Sequence, residues 1–333
     1  MDRNRPRVAD GKSTSDEPSV SRTSRVGVVG TGQVGMAAAS SLFQSQFVAA
    51  IHLVDLDEAR AAGEAMDLMH GQALVGPCAV TSGGYDGLVD ASVVVVTAGV
   101  SQQPGEDRLA LLHRNVLVFE AIVRELDRVA PEAVVVIATN PVDVLTQVFQ
   151  DETARDRQLV IGTGTTLDSA RLRALLGERY GINPQSVHAS VLGEHGDTEF
   201  VPWSLASIGG QPLIGSEIFG VAWDLEEAAR IETEVRQAAY EIINRKGYTN
   251  WAIGAVIDEL VGIILRDERA VVPISVRSPC SLGLQDVCLS LPTRLGRQGA
   301  LDVLAPTLLE SELDALRASA AKLHASAKSL AAG

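Results

Sequence analysis

The stretch VGVVGTGQVG, residues 26–35, constrains the chain more than any other. Gly30, Gly32 and Gly35 stand in G-x-G-x-x-G spacing, directly after an apolar strand-like run and directly before a helical one. Alone such a motif is weak; the strand-then-helix setting gives it force. The first glycine permits a tight turn, the second lets backbone approach a ligand, and the third lets the helix lie close to the sheet. Free N–H groups at the start of that helix then face the turn and favour an anion such as a pyrophosphate. Asp55 closes the next apolar run, IHLVD, 20 residues past Gly35. A carboxylate there accepts hydrogen bonds from ribose hydroxyls and repels a 2′-phosphate, so the expected cofactor is NAD rather than NADP.

The surrounding pattern fits that unit. Apolar runs RVGVVG, VAAIHLVD, SVVVVTAG, AVVVIAT and QLVIG alternate with helical stretches such as DEARAAGEAMDLMHG and RLALLHRNVLVFEAIVREL. Short Val-rich runs separated by helices predict a parallel sheet covered on both faces. Thr97, Ala98, Gly99 and Val100, and then Ala138, Thr139 and Asn140, end later strands at the edge where such sheets bind ligands. Gln33 and Val34 in the glycine loop, and Tyr85, complete the expected cofactor contacts. Beyond Gly164 the alternation stops. TTLDSARLRALLGERYG reads as a helix with a glycine stop. Strand-like SVHASVLG and FVPWSLASIGG follow, then two helices around Lys246, strand-like AVVPISVR and DVCLSLPTRLG, and a final Ala- and Leu-rich helix. The expected fold is α/β: a Rossmann doubly wound parallel sheet over residues 25–164, then a mixed α/β substrate domain over 165–330. Residues 1–24, polar and nearly devoid of apolar side chains, read as a disordered tail.

A formal net charge of −14 argues against nucleic acid or an anionic membrane as partner. No apolar run approaches the roughly 20 residues that span a bilayer. Cys78, Cys280 and Cys288 are odd in number and lack zinc-like spacing, which suits reduced thiols in the cytoplasm and no bound metal.

VLGEHGDTEF sets His195 in a polar loop flanked by glycines, beside a strand. A histidine there is a candidate acid–base, because its ordinary pKa lies near neutrality. Asp168 and Arg171 lie three apart on a predicted helix and share a face. They read either as a surface ion pair of little energetic weight or as working groups. In the second reading Asp168 orients His195, and Arg171 clamps a carboxylate with its two-pronged guanidinium.

The motifs GTGQVG, GEAMDLMHG, TAGVSQQPGEDR, ATNPVDVLT, GTGTTLDSARLR, GEHGDTEFVPWS and RKGYTNWAIG occur in this order, and the chain resembles the lactate/malate dehydrogenase family from Arg25 to the final helix. The resemblance implies that His195 exchanges a proton with lactate or pyruvate while hydride moves to or from the nicotinamide. It implies that Arg108 polarises the reacting carbonyl from a mobile loop, that Asn140 bonds substrate, and that Thr249 lines the side-chain pocket. It also implies a homotetramer. Gln103 and Asp107 depart from the family's usual Lys and Thr, Asn250 stands where Ser or Tyr is usual, and Leu282 where Tyr is common. None removes a proposed catalytic group, though Asp107 beside Arg108 puts loop closure in question.

Gln102 separates the branches of the family. Malate-acting members carry Arg there, which reads the second carboxylate of oxaloacetate. A neutral Gln102 leaves that charge without a partner, and breaking a buried pair costs about 3–5 kcal/mol; the expected substrate is pyruvate, with larger 2-oxo acids open. Arg173 stands about 200° around the helix from Arg171. Bacterial members activated by fructose 1,6-bisphosphate carry Arg and His at the positions of Arg173 and His188, so the resemblance implies that effector at a site shared between subunits. Two other classes weigh less. An NAD-dependent glycosidase would need a metal, for which there is no Cys/His cluster in the sequence. A catalytically silent NAD-binding protein would not need Arg108, Asp168, Arg171 and His195 together.

Overall fold

A computed structural model describes residues 24–100, 108–284 and 286–331. The tail therefore lies almost wholly outside the described residues, as do Gln102, Gln103, Asp107 and the side chain of Arg108. Six strands run parallel: β1 (Arg25–Val29), β2 (Ala50–Val54), β3 (Ala79–Ser82), β4 (Val93–Val96), β5 (Val134–Ile137) and β6 (Val160–Gly162). Their spatial order is β3-β2-β1-β4-β5-β6. The chain reverses direction across the sheet between β1 and β4, which opens a crevice at the strands' carboxyl ends. The connecting helices are α1 (Gln33–Gln44), α2 (Glu58–His70), α3 (Gln72–Val75), α4 (Arg108–Val129) and α5 (Val142–Glu152). β4 and β5 read VVVV and VVVI and are buried at every position, as strands covered on both faces must be.

The second half begins with α6 (Thr166–Tyr180), stopped by Gly181 in the left-handed conformation. Short two-residue strands follow: β7 (Val187–His188), β8 (Ser207–Ile208), β9 (Gln211–Pro212), β10 (Glu217–Ile218) and β11 (Val221–Ala222). Then come α7 (Leu225–Lys246), α8 (Trp251–Arg266), β12 (Ala270–Arg277), β13 (Cys288–Gly296), β14 (Gly299–Val303) and α9 (Glu310–Ala331). β12, β13 and β14 extend the parallel sheet antiparallel from β6, joined through Ser275 and Gly162. The main core therefore runs on past position 164: Val28, Val95 and Ile137 share it with Ile257, Leu289 and Leu316. α8, apolar on most of its surface, packs along α1. A smaller core under α6 and α7 holds Leu172, Leu176, Val191 and Val235.

Two strand expectations differ from the structure. FVPWSLASIGG is not a continuous strand, because Pro202 offers no N–H and Trp203–Leu205 wind into a 3-10 turn. SVHASVLG pairs only at Val187–His188 and through isolated bridges at Leu192 and Gly193. The edge strand β3 was not expected; only Val80 of its four residues is fully buried, so it carries little apolar signal.

The close approach of α1 to the sheet can be tested. A Cβ on Gly35 would stand 1.9 Å from the Gly30 carbonyl oxygen and 2.6 Å from Thr97 Oγ1. Gly35→Ala should lower stability to chemical denaturation by about 1–3 kcal/mol, the usual range for overpacking. An unchanged denaturation midpoint would contradict this packing.

Candidate active site

The glycine loop and the ends of β1, β2, β4 and β5 form one cradle. Gly30 has φ +98°, and a Cβ there would meet the Ala98 backbone nitrogen at 2.6 Å, so only glycine fits. Thr97 Oγ1 ties the two strand ends by donating to the Gly30 carbonyl at 2.8 Å, and Thr139 Oγ1 donates to Ala98 at 2.8 Å. The Val100 N–H donates to buried Asn115 at 2.9 Å. A Cβ on Gly32, by contrast, would touch nothing within 4 Å. Open space thus lies over the second glycine, at the N-terminus of α1, which has no side-chain cap and no acid in its first turn. That is the opening a pyrophosphate needs. Asp55 accepts from the Thr31 N–H at 2.6 Å, the Thr31 hydroxyl at 2.9 Å and the Asp57 N–H at 3.0 Å. Burial works to raise its pKa, but these bonds bring it below the ordinary value. It is held as a carboxylate with acceptor capacity left for ribose hydroxyls. Tyr85, partly buried against the core, opens the turn after β3. The described residues around this cradle fit a dinucleotide.

Next to it is a cavity of about 490 Å3, lined by Asn140, Asp168, Arg171 and His195 among others. Asp168 is 2% exposed on α6. Its Oδ2 meets His195 Nδ1 at 2.7 Å, and its Oδ1 accepts from Arg171 Nη1 at 2.7 Å. The pair is therefore no surface ion pair; both oxygens of a buried carboxylate carry cationic partners. Burial works to raise the Asp168 pKa, and the His195 and Arg171 charges override it and hold it low. Burial likewise works to lower the His195 pKa, but the Asp168 carboxylate carries it up to about 9. With Nδ1 bonded to Asp168, Nε2 is the nitrogen left to exchange a proton. Thr249 is partly buried beside α8 and does not line this cavity among the described residues.

Several neighbours were not anticipated from the sequence. Asp143 on α5, 2% exposed, accepts the His195 backbone N–H at 2.7 Å, and its other oxygen has no partner among the described residues. Burial pushes its pKa up to about 6. Ser319 on α9 accepts the Glu194 N–H at 2.5 Å, and Lys322 pairs with Glu194 at 2.9 Å, so the last helix pins the loop that carries His195. Glu199, 4% exposed, offers a donor atom within 4.8 Å of those of Asp168 and His195. The one sequence signal for Asp143, Glu194 and Glu199 was their place in the motifs NPVDVL and GEHGDTEF; Ser319 and Lys322 lie in neither.

The chain matches the family model for the lactate/malate dehydrogenase NAD binding domain over residues 24–162. It matches that for the lactate/malate dehydrogenase alpha/beta C-terminal domain over residues 165–332. It is 48% identical to an L-lactate dehydrogenase of Salinibacter ruber, covering 92% of this chain and 98% of that one. It is 45% identical to an L-lactate dehydrogenase of Thermus aquaticus, covering 92% and 99%. Among solved structures, a lactate dehydrogenase from a Medee basin deep-sea metagenome library superposes with a TM-score of 0.89 at 38% identity, covering 93% of this chain and 99% of that one. The minor L-lactate dehydrogenase of Enterococcus mundtii superposes with a TM-score of 0.88 at 33% identity, covering 92% and 98%.

The geometry makes Asp168 the source of the high His195 pKa. Asp168→Asn should bring the imidazole from about 9 toward the ordinary 6.5, read by NMR titration of labelled histidine. A pKa that stays near 9 would remove Asp168 from this role.

Proposed function

The chain belongs to the lactate/malate dehydrogenase family and is an NAD-dependent oxidoreductase, and from that premise we propose that it is an L-lactate dehydrogenase reducing pyruvate reversibly to (S)-lactate. The observation that carries the reading is the buried Asp168 carboxylate bonded on one side to His195 and on the other to Arg171. NAD, when bound, gives or takes the hydride. Arg171 receives the substrate carboxylate through its remaining N–H groups. Protonated His195 gives its Nε2 proton to the ketone oxygen as the alkoxide forms, and takes one from the hydroxyl in the reverse direction. Asp168 holds the ring and steadies the imidazolium. Asn140, at the end of β5 between cradle and cavity, bonds substrate beside the cofactor; Thr249, which does not line the cavity among the described residues, is assigned to the side-chain pocket by the family resemblance alone. Arg108, whose backbone opens α4, is assigned to polarising the carbonyl in a closed site from which water is excluded.

The protonation state gives a direction. With the His195 pKa at about 9, the imidazolium prevails at neutral pH, so ketone reduction runs fast there. Reduction should fall as pH rises through about 9, while oxidation of the hydroxy acid, which needs neutral His195, should rise over the same interval. NADH absorbance followed in both directions across pH checks this. Reduction that rises, or oxidation that falls, as pH passes through about 9 would remove His195 as the proton carrier.

Pyruvate is preferred to oxaloacetate because Gln102 supplies no counter-charge. Steady-state kinetics with both 2-oxo acids decides; a wild-type preference for oxaloacetate sinks the assignment. Gln102→Arg should shift the kcat/KM ratio toward oxaloacetate by about 100-fold or more, as the loss or gain of a buried charge partner implies.

The same reading includes activation by fructose 1,6-bisphosphate at Arg173 and His188. Arg173 is partly exposed on α6, where its Nε donates to the Ser169 carbonyl at 3.3 Å, and His188 is exposed on β7, which packs against α6. A homotetramer brings such sites together across a subunit axis. Titrating the effector on wild type and Arg173→Gln tests the site: activation should be confined to wild type, and no response in wild type would remove the proposal. The three cysteines are free thiols and no described helix is long and apolar enough to cross a membrane, which supports placing the protein in the cytoplasm.

A further inference from the structure

Glu199 is the buried acid of the site that the proposed reaction leaves without work. It is 4% exposed, lies four residues after His195, and sets a donor atom within 4.8 Å of those of Asp168 and His195. The charged groups around it are committed elsewhere. On α6, Arg171 donates to Asp168 at 2.7 Å. On α7, Arg236 donates to the Glu199 backbone carbonyl at 3.0 Å and to the Glu232 carboxylate at 2.9 Å, so its charge answers Glu232. On α9, Lys322 pairs with Glu194 at 2.9 Å and approaches Asp197 at 3.5 Å. On α5, Asp143 adds a further acid beneath the His195 backbone. Two buried carboxylates this close do not ionise together at neutral pH. Asp168, holding both cations, is the one that is charged.

We infer that Glu199 is a positioning residue for the Asp168–His195 pair: it is neutral at neutral pH, and its ionisation, before the imidazolium gives up its proton, sets how tightly the imidazole holds that proton. Neutral Glu199 spares the cavity a second negative charge where Arg171 must attract a carboxylate. When Glu199 ionises, its charge faces the imidazolium and stabilises it, so His195 releases its proton at higher pH than Asp168 alone would require. Burial, followed by the Asp168 charge, carries the Glu199 pKa up to about 8, just before His195 at about 9. The three groups therefore titrate as a unit, in steps that belong to the cluster. The kinetic consequence rests on the proposed role of His195; the titration itself does not.

The test uses the full-length protein without substrate or cofactor, labelled with 13C at histidine Cε1, with the His195 signal assigned by His195→Gln. In wild type that signal should move in two steps, near pH 8 and near pH 9. In Glu199→Gln a single step should remain, displaced downward by about one pH unit, the size expected for loss of one close charge. An unchanged His195 titration in that variant overturns the inference. Should Glu199→Gln not fold, 13C titration of glutamate carboxyls in wild type decides instead. A carboxyl titrating near 8 supports the inference. No glutamate titrating above about 6, the upper end of the ordinary range, overturns it. A protein with the two-step titration that does not turn over pyruvate would sink the proposed substrate and leave Glu199 in place.

Discussion

The site depends on one buried carboxylate. Asp168 is almost wholly removed from water, and an isolated charge in that position would be untenable. It persists because His195 and Arg171 each take one of its oxygens at 2.7 Å. The arrangement fixes three things together: which nitrogen of His195 faces the cavity, how strongly that ring holds its proton, and where the guanidinium lies. Removing either cation would leave the carboxylate poorly compensated, and removing the carboxylate would leave two cations side by side.

Holding that carboxylate in register takes elements from the whole second half of the chain and one from the first. α6 supplies Asp168 and Arg171 three residues apart, so local helical geometry accounts for that contact. His195 comes from a loop with little regular structure, and a loop needs external support. Asp143 at the start of α5 holds its backbone N–H, and Ser319 and Lys322 of α9 hold Glu194 beside it. α5 lies against β6, β12 and β13, so the loop is referenced to the sheet itself. The cofactor cradle is referenced to the same sheet through Thr97 and Thr139. Cradle and cavity thus keep a fixed relation because one sheet carries both.

Much of this was legible in order along the chain. The glycine spacing, the Val-rich runs and Asp55 each report a local requirement: a tight turn, a strand covered on both faces, an acid at a strand end. β3 was not legible, because an edge strand with one buried residue of four has no pattern to show. FVPWSLASIGG misled because apolar residues that fill a core from a turn look the same, in sequence, as residues of a strand. Asp143 and Glu199 were hidden for a different reason: their importance lies in burial next to His195, and a carboxylate's burial is set by what packs on it.

The sequence by itself determined the family of shapes, the dinucleotide loop and the identity of the candidate acid–base, because each is written in residues close together along the chain. Whether Asp168 and Arg171 form a solvated pair on a helix surface or the buried centre of a site was open at that level. Only the tertiary structure decided it, because the answer depends on the dielectric surroundings, and these are made by His195, Asp143, Glu199 and α9 arriving from distant parts of the chain. The same packing that removes water from Asp168 turns an ordinary i, i+3 ion pair into a device that sets the protonation of a histidine 27 residues away.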